Sequence, residues 1–142
     1  MTVKTKPKSL LRKYEKHLDD PFWMVEEAAT GVPASALMDL IDMTHLNKSF
    51  IAGMLNLSTK TIDRYLKGDK LLNPSSGELM LKLLSLYKQG EKIFGSTGEF
   101  QNWIEKPAYG LANKIPKELM QTSSGIDLIR NELIRIAYGD LA

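Results

Sequence analysis

The sequence predicts an all-α fold, and three observations lead to this prediction. Apolar residues recur at helical spacing through almost every periodic stretch of the chain. No stretch alternates between apolar and polar residues in the way a half-buried β-strand does. Capping residues, prolines and glycines divide the chain into short helices and one longer helix. Together these features indicate a set of packed helices.

The helix signals of the first half are clear from about residue 9. A first helix is predicted over Ser9–His17, and Asp20 and Pro21 then supply an N-cap and a proline at the first helical position. Gly31 is predicted to end that second helix, and Pro33 to start the next one.

Residues 48–67 are predicted to form two short helices with a break at Leu55–Leu57. Ser58 is a natural N-cap for the second helix, and Gly68 stands where a C-terminal glycine is expected. Ala52 is small at the position where the two helices must touch. This arrangement is typical of a helix-turn-helix, whose second helix enters the major groove of DNA.

The outer face of the second helix contains residue types that contact DNA. Ser58 and Thr59 place hydroxyl groups at a helix N-terminus, which favours a phosphate. Thr61 and Arg64 lie three residues apart and are predicted to reach base edges, whereas Asp63 repels phosphate. An ordinary helical hairpin with a polar outer face is the alternative explanation. The candidate DNA-binding residues are Lys48, Ser58, Thr59, Lys60, Thr61, Arg64 and Lys67.

The second half continues the helical pattern. A capping box at Ser75 and Glu78 is predicted to start a long helix that runs to about Phe94, and a second box follows at Ser96 and Glu99. Later helices are predicted to end at Pro107, to begin at Pro116, and to run from about Ser124 to Gly139.

Charge and chain breaks predict two regions. Residues 1–16 have six basic side chains and one acidic one, residues 17–47 have six acidic ones and no Lys or Arg, and residues 48–70 are again basic. Such blocks indicate a positive surface for an anionic partner, or pairing of the blocks with each other. The predicted boundary separates residues 1–74, a basic segment with the helix-turn-helix, from residues 75–142, the connecting helix and a C-terminal domain.

The composition excludes several classes of protein. The 142 residues are 43% hydrophobic and 25% charged, as in a globular protein, and they include no cysteine for a disulfide or a thiolate metal site. No apolar run approaches the roughly 20 residues that span a bilayer, so a cytoplasmic protein is expected. His17 and His45 are the only histidines, and no phosphate-binding or metalloprotease motif occurs. We therefore expect no enzymatic activity, no metal and no cofactor.

The C-terminal half contains six motifs in order: Phe94-Gly-Ser, Phe100-x-x-Trp-Ile104, Lys106-Pro-Ala-Tyr-Gly-Leu111, Ile115-Pro-x-Glu-Leu-Met120, Thr122-x-x-Gly125 and Leu133-Ile-Arg-Ile-Ala-Tyr-Gly139. Their order and spacing resemble the toxin-binding domain of the Xre/MbcA/ParS antitoxins, which read W-L-x-x-P, A-L-G-G-x-x-P, T-x-x-G and R-I-x-x-G. The resemblance covers about residues 94–142 and extends more loosely back to about residue 37. The usual glycine pair is replaced by Ala112 and Asn113, and an acidic residue is replaced by Ala137. Since asparagine tolerates a left-handed conformation, the turn is expected to survive.

The resemblance implies an Xre-like helix-turn-helix half joined by a long helix to a small helical toxin-binding half. It implies a type II antitoxin that neutralises a RES-type, NAD-consuming toxin by direct binding and represses its own operon on operator DNA. A homodimer is expected, because such repressors bind palindromic half-sites. The toxin-binding positions that the resemblance implies are Arg135, Tyr138, Gly139, Asp140, Leu141 and Ala142.

Two alternatives accompany this interpretation. One is a stand-alone helix-turn-helix transcriptional regulator whose C-terminal half serves dimerisation or effector sensing. The other is a protein–protein interaction module in which the helix-turn-helix is only a scaffold.

Overall fold

A computed structural model describes residues 14–139, and this part of the chain confirms the all-α prediction. It contains eight α-helices, one 3-10 turn and no β-strand; two isolated bridges join loop residues. None of these helices is both long enough and apolar enough to cross a membrane. The helices are α1 (Pro21–Thr30), α2 (Ala36–Thr44), α3 (Lys48–Met54), α4 (Thr59–Gly68), α5 (Pro74–Phe94), α6 (Thr97–Ile104), α7 (Pro116–Leu119) and α8 (Ser123–Ala137), and the 3-10 turn is Tyr109–Leu111.

Several predicted helix starts are confirmed by their hydrogen bonds. The Asp20 carboxylate accepts from the N–H groups of the first turn of α1, with Pro21 at the first position. Ser58 and Ser96 cap α4 and α6 through their hydroxyl oxygens. These caps satisfy N–H groups that have no partner within the helix. The predicted first helix lies mostly outside the described residues.

The predicted start of α2 at Pro33 is wrong. The helix begins at Ala36, because the chain before it pairs with the segment that precedes α5. The Ala34 N–H donates to the Lys70 carbonyl, and the Leu72 N–H donates to the Val32 carbonyl, both at 2.8 Å. A long-range backbone pairing therefore takes residues that the local pattern assigns to a helix.

Two further helix ends differ from the prediction. The capping box at Ser75 is wrong because Asn73 is the cap: its side chain accepts from the Ser76 N–H at 2.9 Å, and α5 begins at Pro74. Gly68 lies inside α4, and Asp69 takes the left-handed conformation with φ 46°. Aspartate enters this region more readily than most residues, so glycine is not required at the cap.

The described chain divides into two compact units between Ser85 and Leu86, within α5. In the first unit a buried hydroxyl joins two segments, since Ser76 Oγ donates to the Leu55 carbonyl at 2.8 Å. Gly77 lies against Val32, where an added Cβ would meet the valine methyl at 3.2 Å. The fully buried core residues of this unit include Leu37, Leu40, Ile51, Met54, Leu55, Ile62, Met80 and Leu81.

The second unit has an aromatic centre. Phe100 is fully buried and meets the Tyr87 ring edge-on, with centroids 5.0 Å apart, while Trp103 lies beside Phe94 at 5.5 Å. Gly90 makes room for this packing, because a Cβ there would overlap the Phe100 ring. The aromatic residues of the C-terminal motifs therefore chiefly build the core of this unit.

Candidate functional site

The first candidate site is the helix pair α3–α4 and the turn between them. The Leu57 N–H donates to the Ala52 carbonyl at 2.9 Å, which closes the turn. Asn56, in the turn, has φ 60°, a conformation that asparagine adopts at low cost. Ala52 is only 3% exposed, as expected for a small residue between packed helices.

The two faces of α4 differ sharply in exposure. Ile62 is 1% exposed and fixes the inner face, with Leu66 half-buried beside it. Thr61 is half-buried as well. The remaining predicted DNA-binding positions of this helix lie on the outer face, exposed to solvent: Thr59, Lys60, Arg64 and Lys67.

Ser58 and Thr61 hydrogen-bond to each other at the N-terminus of α4. The Thr61 N–H donates to Ser58 Oγ at 3.0 Å, and the Ser58 hydroxyl donates to Thr61 Oγ1 at 2.9 Å. The sequence predicted that Ser58 contacts a phosphate and Thr61 a base edge. In the structure both side chains instead take part in the N-terminal cap of α4. The exposed cations of the outer face therefore supply most of its capacity to bind an anion.

Lys48 and Asp63 form an ion pair between α3 and α4. Lys48 Nζ lies 2.6 Å from Asp63 Oδ1, and the two side chains are 44% and 58% exposed. The Asp63 carboxylate, which was expected to repel phosphate, is thus neutralised by Lys48, one of the candidate DNA-binding residues. Farther along, the Arg64 guanidinium carbon lies 5.6 Å from the centroid of the Tyr65 ring.

A buried carboxylate lies in α2 of the same unit. Asp39 is only 6% exposed, and burial raises its pKa to about 6, with the charge of Asp42 acting in the same direction. The two histidines lie apart from each other. The His17 ring stacks on Trp23 with centroids 4.8 Å apart, and His45 caps the C-terminal end of α2 with φ 58°. Within residues 14–139 no group of three or more acidic or histidine side chains is placed to hold a metal ion.

The second candidate site is the C-terminal end of α8. The helix begins at Ser123 and is capped by Thr122, whose hydroxyl oxygen accepts from the Gly125 N–H at 3.0 Å. Near its end Arg135 is half-buried, Tyr138 is 85% exposed, and Gly139 follows with φ 68°. These three predicted toxin-binding residues lie together at one end of the unit, and the other three, Asp140, Leu141 and Ala142, lie outside the described residues.

A turn between α6 and α7 confirms the expected effect of the missing glycine pair. Ala112 and Asn113 both have left-handed backbones, with φ 58° and 61°. The Ala108 N–H donates to the Lys114 carbonyl at 3.0 Å, and the Asn113 N–H donates back to the Ala108 carbonyl. The turn therefore forms without glycine, although alanine is strained in this conformation.

Glu132 and Gly110 form a feature that sequence reasoning missed. Glu132 is 7% exposed and forms a two-point contact with Arg135, and a Cβ added at Gly110 would overlap the Glu132 carboxylate. The three-residue spacing of Glu132 and Arg135 on one helix was a readable signal. The place of Gly110 was not, because it depends on the packing of the 3-10 turn against α8.

The comparisons with known proteins match both units. Residues 24–85 match the model of the antitoxin Xre-like helix-turn-helix domain, and residues 89–139 match that of the antitoxin Xre/MbcA/ParS C-terminal toxin-binding domain. An antitoxin Xre of Pseudomonas putida is 21% identical over 80 residues, which make up 56% of this chain. The match covers 50% of that protein, so the chain spans about half the length of this curated relative.

The helix-turn-helix match comes first and the toxin-binding match follows it, and together they cover most of the chain. The first contains α3, its turn and α4, and the second contains Phe94, Phe100 and Trp103 of the aromatic core, the left-handed turn and α8. The two matches together give the chain an Xre-like helix-turn-helix domain followed by a toxin-binding domain of the Xre/MbcA/ParS antitoxin type.

Proposed function

We propose that this chain is the antitoxin of a type II toxin–antitoxin system, which neutralises a RES-type toxin by direct binding and represses its own operon through operator DNA. The observation that supports this most is the match of residues 89–139 to the toxin-binding domain, directly after a matched helix-turn-helix domain. The proposal places the chain in the cytoplasm, together with the toxin and the operator DNA that it would bind.

The toxin-binding half of the proposal rests on the end of α8. Tyrosine and arginine are the residue types most enriched among residues that dominate binding energy. Arg135 and Tyr138 lie within one turn of each other, and the largely exposed Tyr138 ring has a large apolar area to bury on a partner. The tail Asp140–Ala142 continues from this point and is proposed to reach into the toxin's active site.

Co-expression with a RES-type protein from an adjacent reading frame tests the toxin-binding half. The wild-type chain is expected to co-purify with the toxin and to restore growth of cells that express it. Tyr138→Ala and truncation after Gly139 should each weaken the complex, whereas Phe22→Ala removes an equally exposed aromatic ring from the first unit and should not. Failure of the wild-type chain to bind, with intact DNA binding, would favour a stand-alone regulator instead.

The DNA-binding half of the proposal rests on the outer face of α4. Lys60, Arg64 and Lys67 are exposed along one helix that is anchored by the buried Ile62. This is the arrangement in which a recognition helix presents cations to phosphates and an arginine to a base edge. Lys48 lies beside them on α3, but its ion pair with Asp63 is proposed to keep it from a phosphate contact in the wild-type chain.

A mobility-shift titration with DNA from the upstream region tests this half. Loss of a base contact costs about 1–3 kcal/mol, so Arg64→Ala should weaken binding by about 5- to 160-fold. Lys92→Ala removes the same charge from the exposed surface of the second unit and serves as the matched control. Equal binding by both variants would mean that α4 is not the recognition helix.

We also propose that the chain binds DNA as a homodimer. Two copies of α4 related by a two-fold axis would read half-sites about one helical turn apart. Light scattering of the free protein should give the mass of two chains. A footprint on the upstream DNA should cover two half-sites that form a palindrome. A monomer that protects a single half-site would contradict this part of the proposal.

A further inference from the structure

The buried carboxylate of Glu132 lies at the junction between α8 and the 3-10 turn Tyr109–Leu111. It is 7% exposed, although the helix that carries it is otherwise open to solvent along its outer face at Leu128, Ile134 and Tyr138. Its oxygens lie where a side chain at residue 110 would begin, so only glycine leaves room for them.

Arg135 meets this carboxylate at two points. Its Nε donates to Glu132 Oε1 at 2.9 Å, and its Nη2 donates to Glu132 Oε2 at 2.6 Å. Two parallel bonds between a planar guanidinium and a carboxylate fix the orientation of both groups. Because the Arg135 side chain is 37% exposed, this fixed guanidinium also reaches the surface of the unit.

We propose that Glu132 is a positioning residue for toxin binding: seated over Gly110, it holds the Arg135 guanidinium in the orientation in which it meets a hydrogen-bond acceptor of the toxin. This inference rests on the proposed function. An arginine held in its bound orientation loses less conformational entropy on association than a mobile one. Gly110 is part of the same arrangement, because the absence of a side chain at this position provides the space that the Glu132 carboxylate occupies.

The effect on affinity follows from the entropy that the ion pair removes in advance. Ordering one long side chain costs about 0.5–1.5 kcal/mol, which corresponds to a change in Kd of about 2- to 12-fold. Glu132→Gln keeps the shape of the side chain, removes its charge and replaces one acceptor oxygen by an NH2 donor. It should therefore weaken toxin binding within this range. Gly110→Ala should have a similar effect, because the flexible Glu132 side chain can swing away without disturbing the backbone.

A double-mutant cycle separates positioning from simple stabilisation of the fold. The Kd of the purified full-length chain for the purified RES-type toxin is measured by biolayer interferometry for the wild type, Glu132→Gln, Arg135→Ala and the double variant. If Glu132 acts through Arg135, Glu132→Gln weakens binding in the wild-type background and has no effect in the Arg135→Ala background. Equal losses in both backgrounds would overturn the inference while leaving the proposed function intact.

Gly110→Ala supplies a second route that leaves both charges in place. Its matched control is Gly98→Ala, where the nearest atom to the added Cβ is 3.8 Å away. Thermal melts establish that both variants fold, and Gly110→Ala alone should weaken binding. Full affinity of a folded Gly110→Ala variant would contradict the role of Glu132, whereas no binding by the wild-type chain would remove the proposed function together with the inference.

Discussion

Replacing Asp63 by Asn is expected to strengthen DNA binding, although it removes an ion pair. In the free protein Lys48 Nζ and Asp63 Oδ1 are 2.6 Å apart, across the two helices of the proposed DNA-binding site. In the proposed complex with DNA, the ion pair keeps Lys48 from a phosphate and the Asp63 carboxylate is repelled by one. Asp63→Asn releases Lys48 and removes the repulsive charge in a single step.

The cost in stability is small because both side chains are exposed. Two unit charges at this distance attract by about 1.6 kcal/mol in bulk water, and exposed ion pairs contribute about 1 kcal/mol or less once entropy and salt are included. The effect of Asp63→Asn on the affinity for DNA is expected to be larger than this cost at low salt. One additional phosphate contact changes the slope of log K against log salt by about −0.9, which amounts to about 3.5-fold between 200 and 50 mM salt.

Fluorescence anisotropy titrations at several salt concentrations measure this difference. Asp63→Asn should bind more tightly than the wild type, and its advantage should grow by about 3.5-fold as salt is lowered from about 200 to about 50 mM. Glu91→Gln removes an exposed carboxylate from the second unit and controls for net charge. Weaker binding by Asp63→Asn would refute the reasoning and would point to a direct contact between Asp63 and a base. An unchanged salt slope would refute it too, because it would mean that Lys48 gains no phosphate contact.

Three further predictions concern stability and are measured by thermal or chemical unfolding. Gly125→Ala should destabilise the chain by about 3 kcal/mol, because the new Cβ overlaps a backbone carbonyl at the end of α7, whereas Gly98→Ala should be neutral or stabilising; equal melting temperatures would be evidence against the close approach. Ala112→Gly should stabilise the chain by about 0.5–1 kcal/mol, since it relieves a left-handed alanine, and a loss of stability would contradict the strain. Asp39→Asn should stabilise the chain at pH 7, because the folded pKa of about 6 lies above the ordinary value and the charged form is disfavoured. This gain in stability should shrink as the pH falls from 6 towards 4, because the Asp39 carboxylate of the folded wild type is then protonated. A gain that does not vary with pH would mean that it does not arise from the charge of Asp39.

Local sequence signals were sufficient where the hydrogen bonds are local. The Asp20 cap with Pro21, the Ser58 cap and the Ser96 cap all lie within a few residues of the N–H groups that they satisfy. The break between α3 and α4 was readable for the same reason, because one short segment contains the whole turn. The helical character of the chain and the position of the helix-turn-helix follow from such signals.

Local signals failed where a distant segment competes for the same groups. Pro33 looked like a helix start, but the residues around it pair with the segment at Lys70–Leu72. Asp63 looked like an unfavourable charge among cations, but Lys48, fifteen residues earlier, lies against it. In both cases the sequence contained the correct residues, and the partner was decided by the packing of separate helices.

The sequence by itself determined the all-α class, most of the helix ends, and the motifs by which the chain resembles its antitoxin family. The tertiary structure alone decided which motif residues are structural and which remain at the surface. It buries Phe100, leaves Tyr138 exposed, and places Glu132 over Gly110 so that Arg135 is held from within the fold. The physical reason is that burial and side-chain pairing depend on distances between segments, whereas periodicity and capping depend only on neighbours along the chain.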